Sequence, residues 1–190
     1  MIASLPSQPT APHADIALPP VTLVLGGAGS GKSRYAESLV EGGIAAGGEG
    51  LYLATATAGD AEMAERIARH RARRGTGWTT VEEPLALAPT LAAEARPGRA
   101  VLVDCLTLWL SNLVACGKDP EAATAGLIEA LEGLGGPAIF VSNEVGMGIV
   151  PEGALARAFR DQAGRLNQRI AARAERVIFV AAGLPLILKD

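Results

Sequence analysis

The chain has 190 residues, of which 49% are hydrophobic and only 4% aromatic, and a formal net charge of −3. That length suits one domain with a sizeable core, and Ala, Val, Leu and Ile are the usual filling of a parallel sheet flanked by helices. The mild acidity argues against a nucleic-acid binder, no apolar run reaches the ~18 residues of a membrane span, and the two cysteines, Cys105 and Cys116, lack metal-ligand spacing and fit a reducing cytoplasm.

Residues 1–20 hold five of the twelve prolines and no convincing apolar period. They also lack a basic start followed by an apolar stretch, so they read as a mobile tail rather than a secretory leader. Residues 21–190 read as a single domain. Its first strand, 21–25, runs into Gly26-Gly27-Ala28-Gly29-Ser30-Gly31-Lys32-Ser33, a complete G-x-x-x-x-G-K-[ST] phosphate-binding loop, and a helix is expected over 32–46. The glycines let backbone N–H groups turn inward around phosphate oxygens, and the helix start adds its partial positive charge. Lys32 is expected at the β/γ-phosphates and the Ser33 hydroxyl at Mg²⁺. This chain is expected to bind a nucleoside triphosphate.

Further strands are expected at 50–56, 78–82, 100–104, 137–142 and 176–181, with a short closing piece at 185–188. Helical patterns fall at 61–74, 85–95, 106–116, 120–133 and 153–175. The alternation predicts an α/β fold, P-loop NTPase-like, with a mostly parallel sheet flanked by helices. Loops at the carboxyl ends of such strands form the site.

Two segments carry further chemistry. Residues 60–74 place acids at the start and bases at the end of the expected helix, with His70 one turn from Arg66 and from Arg73 and Arg74. Flanking cations favour the neutral, nucleophilic imidazole, whereas the plainer reading is a solvated helix face. Val101-Leu102-Val103-Asp104 is an apolar strand ending in a carboxylate. Asp104 reads either as the Mg²⁺-side acid of a Walker B segment or as a strand-end residue capping the next helix. Asn143 and Glu144 either face the same edge or form a turn and cap before the last helix. Arg157 and Asp161, four apart, read as a helix-surface ion pair.

Taken together, several segments resemble the bifunctional adenosylcobinamide kinase/adenosylcobinamide-phosphate guanylyltransferase family. They are residues 26–34, Tyr52-Leu53-Ala54-Thr55, Glu62-Met63-Ala64-Glu65-Arg66-Ile67 leading to His70-Arg71, Trp78-Thr79-Thr80-Val81-Glu82 and Asp104-Cys105-Leu106-Thr107. The most distinctive is 142–151, Ser-Asn-Glu-Val-Gly-Met-Gly-Ile-Val-Pro, continuing through Phe159-Arg160-Asp161 and Gly164-Arg165-Leu166-Asn167-Gln168. The likeness spans residues 21–190.

The resemblance implies phosphorylation of adenosylcobinamide by ATP or GTP, then transfer of GMP from GTP to adenosylcobinamide-phosphate. It implies His70 as carrier of a covalent GMP, and Gly26, Gly27, Ala28, Gly29, Ser30, Gly31, Lys32 and Ser33 as the triphosphate site. Thr55, Ala56, Thr57, Arg71, Ala72, Arg73, Arg74, Glu82 and Asp104 match further nucleotide-site positions. It also implies a cytoplasmic homo-oligomer, a ring-shaped trimer in related proteins. The family more usually has Arg in the loop where this chain has Ala28-Gly29, which affects a side-chain contact and leaves the N–H cradle and Lys32 in place. The alternatives are a kinase without the covalent histidine and a GTP-dependent switch; the latter normally carries Asn-Lys-x-Asp, which does not occur in this chain.

Overall fold

The computed structural model describes residues 18–57 and 74–190. Seven strands form one sheet in the order β3-β2-β4-β5-β1-β6-β7. They are β1 (Val21–Gly26), β2 (Glu49–Ala54), β3 (Trp78–Glu82), β4 (Arg99–Asp104), β5 (Ala138–Asn143), β6 (Arg176–Ala181) and β7 (Leu184–Lys189). All neighbouring pairs are parallel except β6 and β7, an antiparallel hairpin at one edge. The helices among the described residues are α1 (Lys32–Ala45), α2 (Leu87–Glu94), α3 (Leu106–Ala115), α4 (Pro120–Ala130) and α5 (Ala154–Arg173). The expected helix at 61–74 lies outside the described residues apart from Arg74, which is not helical.

The inner strands read as unbroken apolar runs because both faces of the sheet are covered. Leu51, Leu53, Val101, Val103 and Phe140 point to the face packed by α2–α5, against Leu91, Trp109, Leu113, Leu127 and Ile170. Their alternate neighbours Tyr52, Ala54, Leu102, Ile139 and Val141 point to the other face, under Ala36, Leu39 and Val40 of α1. Tyr52 and Asp104 therefore share the α1 side, since side chains alternate along a strand.

Most element ends shift by one to three residues from the sequence reading, and two places bear on the site. β2 stops at Ala54 rather than continuing to residue 56: its pairing with β4 ends at Ala54 and Asp104, and Thr55 N makes the last bond to β4, to Asp104 O. Contacts with the sheet begin just before β1: Leu18 packs against the α1-side core, and Pro20 O accepts a hydrogen bond from Ala138 N at 2.9 Å.

Candidate active site

β1 ends at Gly26 and α1 starts at Lys32, so the loop between them lies at the carboxyl end of the sheet. Its shape depends on missing side chains. A Cβ on Gly26 would sit 2.5 Å from Val180 O and 2.6 Å from Ser30 Oγ, closer than any side chain tolerates. Gly31 occupies the helix N-cap at φ 95°, ψ 2°, a left-handed conformation costly for residues with a Cβ. The β6–β7 turn closes the loop from behind, with Gly183 N donating to Ser30 O at 2.8 Å. Lys32 is 5% exposed and its Nζ donates to Gly27 O at 3.0 Å, which holds the ammonium over the loop. Ser33 is half-buried on the first turn of α1.

Asp104 ends β4, two strand spacings of about 4.8 Å each from β1 across the intervening β5. Register sets Asp104 beside Val141 of β5, and Val141 beside Val24 of β1, two residues before Gly26. The carboxylate thus lies on the same sheet edge as the loop. It does not cap α3: Cys105 holds the N-cap position, with no side-chain cap. Instead Asp104 Oδ2 accepts a hydrogen bond from Tyr52 Oη at 2.8 Å. Burial, then the charge and hydrogen bond of Asp104, push the Tyr52 hydroxyl far above its ordinary pKa, so it remains a donor. Burial and the same carboxylate push the neighbouring Cys105 thiol up to about 11, while Lys32 opposes that rise.

The three residues after β2 divide in role. Thr55 N donates to Asp104 O at 3.2 Å, its carbonyl accepts from Asn112 Nδ2 at 2.7 Å, and its hydroxyl bridges the N–H and C=O of Cys105, each at 2.8 Å. Every polar group of Thr55 is engaged inside the protein, so it braces the end of β4. Ala56 is half-buried and Thr57 exposed. Glu82 is exposed and closes β3 in register with Ala54, which is itself in register with Asp104. Arg74 packs its guanidinium 3.7 Å from the Tyr52 ring centroid and donates to Thr80 Oγ1 at 3.4 Å. His70, Arg71, Ala72 and Arg73 lie outside the described residues.

The 142–151 stretch has a positioning role that the sequence leaves open. Asn143 N donates to Thr107 Oγ1 at 2.8 Å, and Asn167 Nδ2 of α5 donates to Asn143 O at 3.4 Å. Glu144 N donates to Gly26 O at 3.0 Å, while Glu144 Oε1 accepts from Gly146 N in a local turn. These residues brace the start of the phosphate loop and do not cap α5, whose N-cap is Gly153. The expected Arg157–Asp161 pair does not form: Arg157 donates to the carbonyls of Pro151 and Glu152, and Asp161 pairs with Arg160 at 2.8 Å.

A family model described as cobinamide kinase / cobinamide phosphate guanyltransferase matches residues 22–188. The chain belongs to this family. The bifunctional adenosylcobalamin biosynthesis protein CobP of Pseudomonas aeruginosa is 57% identical over 171 residues, covering 88% of this chain and 96% of that protein. The CobU proteins of the same description from Escherichia coli and Salmonella typhimurium are 42% and 43% identical, each over 88% of this chain and 98% of theirs. Among solved structures, flagellar accessory protein FlaH of Methanocaldococcus jannaschii superposes with a TM-score of 0.54 at 13% identity, covering 91% of this chain and 80% of that one. A second solved structure, an ATPase domain, gives 0.51 at 12% identity, over 84% of this chain and 68% of that one. These two support the P-loop α/β fold alone. Family membership makes this chain a bifunctional enzyme of cobalamin biosynthesis, a cobinamide kinase and cobinamide-phosphate guanyltransferase.

Proposed function

We propose that the enzyme phosphorylates the aminopropanol hydroxyl of adenosylcobinamide with ATP or GTP. It then transfers GMP from GTP to adenosylcobinamide-phosphate through His70. The observation that carries this reading is the preformed glycine cradle with Lys32 held over it, on the same sheet edge as Asp104.

In the kinase step the work is positioning and charge stabilisation, with residues 26–33 fixing the triphosphate. In the guanylyl step the neutral His70 imidazole attacks the α-phosphorus. The P–O bond to pyrophosphate breaks, and a P–N bond forms. A phosphate oxygen of the corrinoid substrate then attacks the same phosphorus, the P–N bond breaks, and free imidazole returns with adenosylcobinamide-GDP as product. Lys32, Arg71, Arg73 and Arg74 offset the charge that develops on the leaving group. Ala56, Thr57, Ala72 and Glu82 complete the nucleotide site, with Thr55 shaping it through Cys105.

The donor set fits a hard cation: a hydroxyl from Ser33 and a carboxylate from Asp104, with Mg²⁺ supplying charge neutralisation at the phosphates. Among the described residues no group of three or more His, Cys, Asp or Glu side chains is placed to hold a metal ion. The triphosphate itself therefore has to provide further oxygen ligands. Ser30 Oγ, buried without a hydrogen-bond partner among the described residues, marks a loop with unspent polar capacity.

We also read the enzyme as a cytoplasmic homo-oligomer, a trimer by the resemblance, with residues 21–190 as a single catalytic domain preceded by a tail that is anchored at Leu18 and Pro20. The edge strand β7, exposed throughout and bearing Leu184, Leu186, Ile187 and Leu188, supports association. No described helix is long and apolar enough to cross a membrane.

The test is product analysis with adenosylcobinamide, GTP and Mg²⁺. The expected product is adenosylcobinamide-GDP with one pyrophosphate released per transfer. Accumulation of the phosphate alone would support a kinase without guanylyl transfer, and formation of neither product would overturn the substrate assignment.

A further inference from the structure

Among the described residues, Tyr52 touches both the carboxylate at the end of β4 and the arginine that follows the histidine-bearing segment. It pairs in register with Leu102, so Asp104 is its diagonal neighbour two residues further along β4 on the same face. That offset is within reach of an aromatic side chain. Tyr52 is 6% exposed, and its ring is fixed from two directions. Trp78 meets it edge-on at 6.4 Å between centroids and 69° between planes, and the Arg74 guanidinium packs 3.7 Å from its centroid.

We propose that Tyr52 is a positioning residue that orients Asp104 for divalent-cation binding; this rests on the reading of Asp104 as the metal-side carboxylate. An aspartate at a strand end rotates about two side-chain bonds, and a cation needs one oxygen presented in a fixed direction. Tyr52 Oη donates to Oδ2 at 2.8 Å. Among the described residues no hydrogen bond is made to Oδ1. The hydroxyl thus holds one oxygen and leaves the other available to a cation at the carboxyl end of the sheet, where the phosphate loop also lies. A partner that fixes a ligating carboxylate commonly carries 10–100-fold in metal affinity without touching the metal. The rigid ring makes the restraint stiff, because Trp78 and Arg74 leave the phenol little freedom to swing away.

The same ring links two parts of the site. Arg74 follows the segment that carries His70, and it packs over the same ring whose hydroxyl holds Asp104. Tyr52→Phe separates the two roles, since it keeps the ring for Trp78 and Arg74 and removes only the O–H.

The experiment measures Mn²⁺ affinity by electron paramagnetic resonance in the complex with a non-hydrolysable GTP analogue. It covers the wild type, Tyr52→Phe, Asp104→Asn and the double variant. Nucleotide affinity without metal and thermal midpoints are measured in parallel. Tyr52→Phe is expected to weaken Mn²⁺ binding about 10-fold, with metal-free nucleotide affinity within about twofold and the fold intact. The double variant is expected to bind Mn²⁺ no more weakly than Asp104→Asn alone, because Tyr52 acts only through that carboxylate. Unchanged Mn²⁺ affinity in Tyr52→Phe, with a loss in Asp104→Asn, would overturn the role of Tyr52 while leaving the metal reading intact. Unchanged affinity in Asp104→Asn would overturn both. A further loss in the double variant, or an equal loss of metal-free nucleotide binding, would mark Tyr52 as a general structural support and overturn the proposal.

Discussion

The two sides of the proposed nucleotide site are built in different ways. The phosphate loop is made almost wholly of backbone: a glycine with no room for a Cβ, a left-handed N-cap, and carbonyls held by Glu144 and Gly183. The carboxylate side is made of side chains from three strands and the segments beside them, in which Tyr52, Asp104, Thr55, Trp78 and Arg74 hold one another. A backbone cradle is set by a few local residues and fails when a critical one gains bulk. A side-chain cluster is set by register across the sheet, and its members fail by degrees.

The largest effect should come from the loop's one charged group. Lys32→Ala removes the buried cation held over the loop, and both reactions are expected to fall by about 10²–10³ in kcat, measured on each half-reaction separately. A loss confined to one reaction would separate the sites for the two chemistries. Gly26→Ala is expected next. Its Cβ would press on Val180 O, backbone that cannot step aside, so nucleotide affinity and thermal midpoint should fall together. Unchanged nucleotide binding in this variant would contradict a cradle defined by close backbone approach.

On the carboxylate side, Thr55→Val keeps the shape and strands the N–H of Cys105. A cost of about 1–3 kcal/mol is expected in denaturant unfolding, with smaller changes in nucleotide affinity than Gly26→Ala produces. The smallest effect concerns Cys105 itself. Its raised pKa means the folded protein holds the thiol proton where the unfolded chain releases it. That contribution to stability is full below the ordinary thiol pKa and is lost as pH climbs toward about 11. Cys105→Ala is expected to flatten this alkaline decline. Mass spectrometry after alkylation at about pH 8, near the ordinary thiol pKa, should find the exposed Cys116 modified and the buried Cys105 intact.

The same contrast explains what can be read in the sequence. The loop is legible because its signal is local: eight consecutive residues between a strand and a helix carry the geometry. The strand pattern is legible because both faces of a parallel sheet demand unbroken apolar runs, and Val101–Val103 declares a central strand without any partner in view. Asp104 is legible as a strand-ending acid. Its partner Tyr52 lies 52 residues away, and only the β2–β4 register brings them together. Thr55 matches a nucleotide-contact position, yet its groups turn inward because the end of β4 needs a partner for its backbone. Gly183 carries no signal at all, since its contact with Ser30 depends on where the β6–β7 hairpin folds back. The spacing of Arg157 misleads: an acid stands at i+4, but the carbonyls at 151–152 lie closer, at the start of α5.

The central claim is that one nucleotide site serves both phosphoryl transfer and covalent guanylyl transfer. It is tested most directly by incubating the enzyme with Mg²⁺ and GTP labelled either at the α- or at the γ-phosphorus. The account predicts protein-bound, acid-labile label from α-labelled GTP only. That label should be absent in His70→Ala and discharged by adenosylcobinamide-phosphate. No protein-bound label under conditions that yield adenosylcobinamide-GDP, or label that persists in His70→Ala, would contradict it.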